Sequence, residues 1–198
     1  MFEQERLENA ISYFAREHKR RSGETLTSLR LYKYIALLHH WGIETHGKPV
    51  FGLTFSAMRM GPVPLEIYDK RNSLARPLFK FIKYSYFKPN AEFDGGWCVV
   101  ANGEPDLTYF SKQEITEMNR LLEIYAHRGV SSQDMSDASH EVIRAWKKAW
   151  KTKPNSIIDW GLTFSSDPQG KKAEDLSPEE ENYLLSLAFK GLRGATAR

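Results

Sequence analysis

Six histidines, one cysteine and the adjacent pair Ser139-His140 are the places where this chain could hold a metal or activate a nucleophile. His39, His40 and His46 stand closest together. Neighbours on a helix point about a hundred degrees apart, so His39 and His40 diverge, while His39 and His46 share a face two turns apart. No H-E-x-x-H accompanies them, and Cys98 has no second cysteine. Ser139 and His140 do not face each other on a helix. They read as a helix cap and a core-edge histidine hydrogen-bonded to a neighbour. There is no G-x-S-x-G elbow, no P-loop and no G-x-G-x-x-G, and Gly47-Lys48-Pro49 is not a phosphate cradle. The chain therefore reads as a non-enzyme with no catalytic residue, no cofactor site and no metal site.

Three stretches could meet nucleic acid. Lys19-Arg20-Arg21 ends a helix, where basic residues also serve as a solvated cap favoured by the helix dipole. Lys80, Lys83, Tyr84, Tyr86 and Lys88 mix cations with rings as a single-strand stacking surface does, or guard the edge of a half-buried strand. Residues 130–149 resemble a helix pair with Arg144, Lys147 and Lys148 on the second helix. Trp146 and Trp150 occupy that same helix and its first turn, with Glu141, is acidic and polar, so an ordinary packed helix pair fits better. The net charge of +3 and a pI near 8.9 are too mild to decide for nucleic acid. A nucleic-acid-associated regulator is the alternative; an interaction domain is the leading class.

The elements that would position these residues are legible. A helix over 2–19 shows Leu7, Ile11 and Phe14 on one face. The stretch 31–68 organises the rest. Thr27 caps a helix with Leu31, Tyr34, Ile35, Leu38 and Trp41 at helical spacing, and Gly47 supplies its left-handed end. Gly61-Pro62-Val63-Pro64 then forms a rigid elbow in which Gly61 takes a positive φ, before a short helix over 65–68. Three short strands are expected at 78–87, 97–100 and 107–110, with turns at 68–77, 89–96 and 101–105. Ser111 and Glu114 make a capping box for a helix ending near Gly129, and Ser131 starts another. A last helix of this group begins near Ser139, with Val142, Ile143, Trp146 and Trp150. Leu31, Ile35, Leu38, Trp41, Leu121, Val142 and Trp146 are the expected core.

Length and composition fit this picture. With 198 residues and 13% aromatics the chain suits one domain with appendages. Residues 1–164 read as the domain, 165–177 as a flexible linker, and 178–198 as a C-terminal helix and frayed tail. That helix carries Tyr183, Leu184, Leu187, Ala188 and Leu192 on one face, to be covered by the protein's own body, a second copy or a partner. Neither a signal peptide nor a membrane span is legible, and a cytoplasmic protein is expected. The fold class is α+β and predominantly helical, a helical body with a small antiparallel sheet of about three strands and a C-terminal helix.

Two blocks carry a family resemblance. Leu31 through Lys33, Gly47-Lys48-Pro49, Ala57, Gly61-Pro62-Val63 and Ile67-Tyr68 form the first, spaced without gaps. Ser131 to Ser136, Ser139-His140 and Trp146 form the second. Together they resemble the SocA-like antitoxin family, or Panacea domain, over most of residues 5–160. His39 and Gly42 depart from its pattern. The resemblance implies a bacterial or phage toxin–antitoxin system in which the domain binds a cognate toxin, encoded next door, and in some members serves as a protease adaptor. Leu31, Lys33, Gly47, Pro49, Ala57, Gly61, Pro62, Val63, Tyr68, His140 and Trp146 are then structural or partner-binding residues. The oligomeric state is not legible.

Overall fold

A helix over Ser28–His46 is buried along most of its length in the computed structural model, which describes residues 2–69, 79–88 and 96–195. In chain order the elements are α1 (Phe2–Ser22), this helix as α2, β1 (Phe55–Met58), β2 (Gly61–Pro64), α3 (Leu65–Tyr68), β3 (Ile82–Phe87), β4 (Gly96–Ala101), α4 (Lys112–Tyr125), α5 (Ser132–Val142), α6 (Arg144–Thr152) and α7 (Pro178–Ala195). The α+β, mainly helical class holds. Apolar spacing predicts one buried face for α2. Instead residues 31–40 are buried without a break, because α1, α4, α5, α7, β2 and β4 all pack against it. Its ends are set as the sequence indicates: the Thr27 hydroxyl accepts from the Arg30 N–H, and Gly47 closes the helix at φ 64°.

The small sheet is two pairs rather than one set of three strands. β3 and β4 form one antiparallel pair, and β1 and β2 the other. The expected third strand, 107–110, is a 3₁₀ turn over Leu107–Tyr109, because the Asp106 carboxylate captures the Thr108 N–H and starts a turn. The Gly-Pro elbow is itself a strand. Leu65 N–H donates to Thr54 at 2.9 Å, so the ladder bonds fall on odd residues, and Pro62 and Pro64 sit where no donor is needed. Leu78 and the turns expected at 70–77 and 89–95 lie outside the described residues.

Two further expectations change. α5 runs through Ser139 and breaks at Ile143, so Ser139 is not a cap; its hydroxyl donates back to the Ser136 carbonyl at 2.7 Å. The break turns Val142 outward, 51% exposed, and puts Ile143 in the core in its place. Leu31, Ile35, Leu38, Leu121 and Trp146 are buried as expected, and Trp41 packs at the core's edge.

Segment 165–177 carries two 3₁₀ turns, with Pro168 buried and Lys171 Nζ donating to Glu180 at 2.6 Å. The capping box of Ser177 and Glu180 starts α7. The first half of α7 lies on the end of α2, with Tyr183 buried. A Cβ on Gly47 would run into the Glu179 carbonyl oxygen. Gly47→Ala is therefore expected to cost about 1–3 kcal/mol through the positive φ and the displaced helix. Hydrogen exchange should show α7 amides opening ahead of those in α1; unchanged exchange in α7 would mean that Gly47 does not seat the helix.

Candidate functional site

The eleven family residues fall at two ends of α2. Near its start, α2 contributes Leu31 and Lys33, β1 contributes Ala57, β2 contributes Gly61, Pro62 and Val63, and the α5–α6 unit contributes His140 and Trp146. Near its end stand Gly47 and Pro49. Tyr68, from α3, packs edge-on against Tyr32 of α2 at 6.2 Å. Of the first group, Lys33, Gly61, Pro62, His140 and Trp146 meet at one cluster; Leu31, two residues from Lys33, points to another side of α2, and Gly47 and Pro49 lie at the far end.

Lys33 is the centre of that cluster. Its side chain is fully buried, and its ammonium donates to the Pro62 carbonyl at 3.4 Å. Pro62 offers that oxygen because its position in β2 turns the carbonyl away from β1 and toward α2. Gly61 lies at φ 102°, and a Cβ there would sit 2.8 Å from both Lys33 Nζ and Ser139 Oγ. Gly61 thus lets the strand, the lysine and α5 meet. Burial holds the Lys33 ammonium down at about 7. His140 stacks flat on Trp146, ring centroids 3.9 Å apart, and Trp146 stacks in turn on Trp150 at 5.9 Å. The Trp146 indole donates to the Met58 carbonyl at 3.1 Å, tying α6 to the β1–β2 hairpin. Contrary to the expected hydrogen bond, His140 Nε2 has no partner among the described residues; stacking fixes the ring. Its pKa is lowered, first by burial and then by Lys33.

At the other end, residues 48–50 fold back over Gly42. A Cβ on Gly42 would lie 2.6 Å from the Lys48 carbonyl oxygen, so the departure from the family pattern there is forced by the backbone. A cavity of about 490 Å³ opens beside this loop, walled by Arg6, Trp41, His46, Lys48, Glu179 and Asn182. Arg6 is committed to Glu114 and to the Val50 carbonyl, and it lies over the Phe110 ring at 5.4 Å.

The histidines stay apart. His39 is held between Phe55 and Trp160 at 4.8 and 4.6 Å, His40 points to Glu44, and His46 stands edge-on to Trp41. Among the described residues no group of three His, Cys, Asp or Glu could hold a metal ion, and no helix is long and apolar enough to cross a membrane. β3 is half-buried: Ile82 points inward while Tyr86 meets Trp97 at 5.5 Å. Sequence reasoning singled out Lys33 only through the motif. Its burial had no signal of its own, because a lysine in a helix ordinarily reaches solvent.

A family model described as "Antitoxin SocA-like, Panacea domain" matches residues 31–147, more than half of the chain. The comparisons with curated proteins and with solved structures found no match.

Two outcomes test the cluster. Gly61→Ala should lower stability by about 1–3 kcal/mol, from the positive φ and the crowding of Lys33 and Ser139; an unchanged melting temperature would show the junction to be tolerant. Lys33 should make stability depend on pH. Below pH 7 both folded and unfolded chains hold its proton, and the fold bears the whole burial cost. Between pH 7 and 10.5 the unfolded chain binds the proton that the folded chain has lost, so stability rises by up to about 1.4 kcal/mol per pH unit. Denaturation from pH 7 to 9 should show this rise in the native chain and not in Lys33→Met. Equal slopes would mean that the ammonium is hydrated.

Proposed function

We propose that this chain, which belongs to the antitoxin SocA-like family through its Panacea domain, neutralises a cognate toxin by binding it directly. The observation that carries this reading is the depth of the family residues. Leu31, Lys33, Gly47, Ala57, Gly61, Pro62, Val63 and Trp146 are buried, and Pro49, Tyr68 and His140 are half-buried. A motif serving catalysis has to open onto substrate. These residues instead hold a strand, a kinked helix pair and a central helix in one arrangement. What they build is a rigid body whose outer faces are free to recognise a protein. The work of such a domain is occlusion, and its role is non-enzymatic.

The test uses the protein encoded beside it. Co-expression should restore growth that the neighbouring protein alone arrests, and the two should co-purify as a complex. Arrest that persists at matched expression, with no complex on size exclusion, would sink the reading.

A further inference from the structure

α6 presents a basic stripe that no part of the described fold absorbs. Arg144, Lys147, Lys148 and Lys151 recur at i, i+3, i+4 and i+7, on one side of the helix. Arg144 and Lys151 are exposed, and Lys147 and Lys148 are half-exposed. The opposite side is fixed to the body by Ala145, Trp146 and Ala149. Lys153 continues the charge beyond the helix, and exposed Arg59 stands at the tip of the hairpin that Trp146 holds through Met58. Within the described residues one acid answers this stripe: Glu141 meets Lys147 at 3.1 Å.

α5 alternates with it. Asp134, Asp137 and Glu141, spaced i, i+3 and i+7, are all exposed on the helix immediately before the kink. An acidic face therefore adjoins a basic one across Ile143. A nucleic-acid backbone is uniformly negative, and a strand continuing from α6 across α5 would meet repulsion. A protein surface can offer an acidic patch beside a basic one, matching both faces. The exposed Val142 side chain lies at the seam and supplies an apolar contact between them.

We propose that the basic face of α6 is a docking surface for an acidic segment of a partner protein, with α5 setting its orientation. The partner's identity as the toxin rests on the function proposed above; the acidic chemistry of the segment rests on the stripe alone.

The experiment measures the affinity of the full chain for the neighbouring gene's product. Arg144→Glu/Lys148→Glu/Lys151→Glu reverses the stripe, and Lys19→Glu/Lys112→Glu/Lys172→Glu makes the same change in net charge elsewhere. Both should melt with the native chain, since all six positions lie at the surface. The stripe variant should bind about tenfold more weakly or worse, with the control within about threefold of native. Native-like binding by the stripe variant, or equal loss in the control, overturns the proposal. Should the native chain not bind that protein, the neutralisation reading fails and the face is judged on defined probes. These are a Glu/Asp-rich helical peptide of about 20 residues and a DNA duplex of about 20 base pairs, at low salt. Peptide binding abolished only by the stripe variant upholds the proposal. Preference for the duplex, or no peptide binding, overturns it.

Discussion

A helix enclosed over most of its length leaves each unanswered polar group at a cost, and in α2 only Ser28 Oγ, Arg30 Nε and His40 Nδ1 are buried without a hydrogen-bond partner among the described residues. That cost shapes the fold. Arg30, 8% exposed, reaches the His18 ring at 3.1 Å, the Glu24 carboxylate at 2.7 Å and the Val130 carbonyl at 2.6 Å. His18 accepts at Nε2 and is therefore free to donate at Nδ1 to the Tyr34 hydroxyl, 3.0 Å away. Burial, and then Arg30, push the His18 pKa down to about 4 and keep the ring neutral in this role. One network thus joins the end of α1, the start of α2 and the loop leading to α5. Where Phe14 stacks on Tyr34 at 4.7 Å, the same helix pair gains its apolar contact.

Lys33 is the costliest member of that enclosed helix. A buried ammonium with a single long hydrogen bond opposes folding unless the structure gains something from its presence. Here the gain is positional. The Pro62 carbonyl is free because a proline strand leaves alternate groups unpaired with β1, and a lysine is long enough to reach it from α2. Gly61 leaves room for the amine and the Ser139 hydroxyl, which a side chain at 61 would crowd at 2.8 Å. The GPV turn, the lysine and the α5 serine are consequently one device, read from sequence as three separate features.

Much of the local structure was legible because it depends on neighbours in sequence. Thr27, Ser111 and Ser131 cap helices as their spacing predicts, and Gly47 and Gly61 take the positive φ their contexts require. What escaped depends on contacts made across the chain. Continuous helical spacing through 139–150 conceals the break at Ile143, which leaves the core side of α6 to Ala145, Trp146 and Ala149. The β1–β2 pair was masked by its prolines, whose harmless register appears only once the partner strand is known. Enclosure of α2 was hidden because Arg30, Lys33, His39 and His40, residues that usually mark a solvent side, are buried around the helix beyond its apolar face.

The family match stops short of both ends of the fold. It runs from Leu31 to Lys147, yet α2 is not covered without α1, which supplies Phe14 and His18, nor is Gly47 without α7. The matched segment is therefore a core that flanking helices complete, and those flanks are structural as well as additional. α6 straddles the boundary: Trp146 belongs to the shared core, while Lys148 and Lys151 follow the last matched residue. A helix whose inner face is fixed by the fold and whose outer face lies at the edge of the shared segment can change its charges without disturbing Trp146. The geometry that locks the interior thus leaves the outer side chains of α6 without packing duty, and the docking role proposed for them asks nothing of the fold's stability.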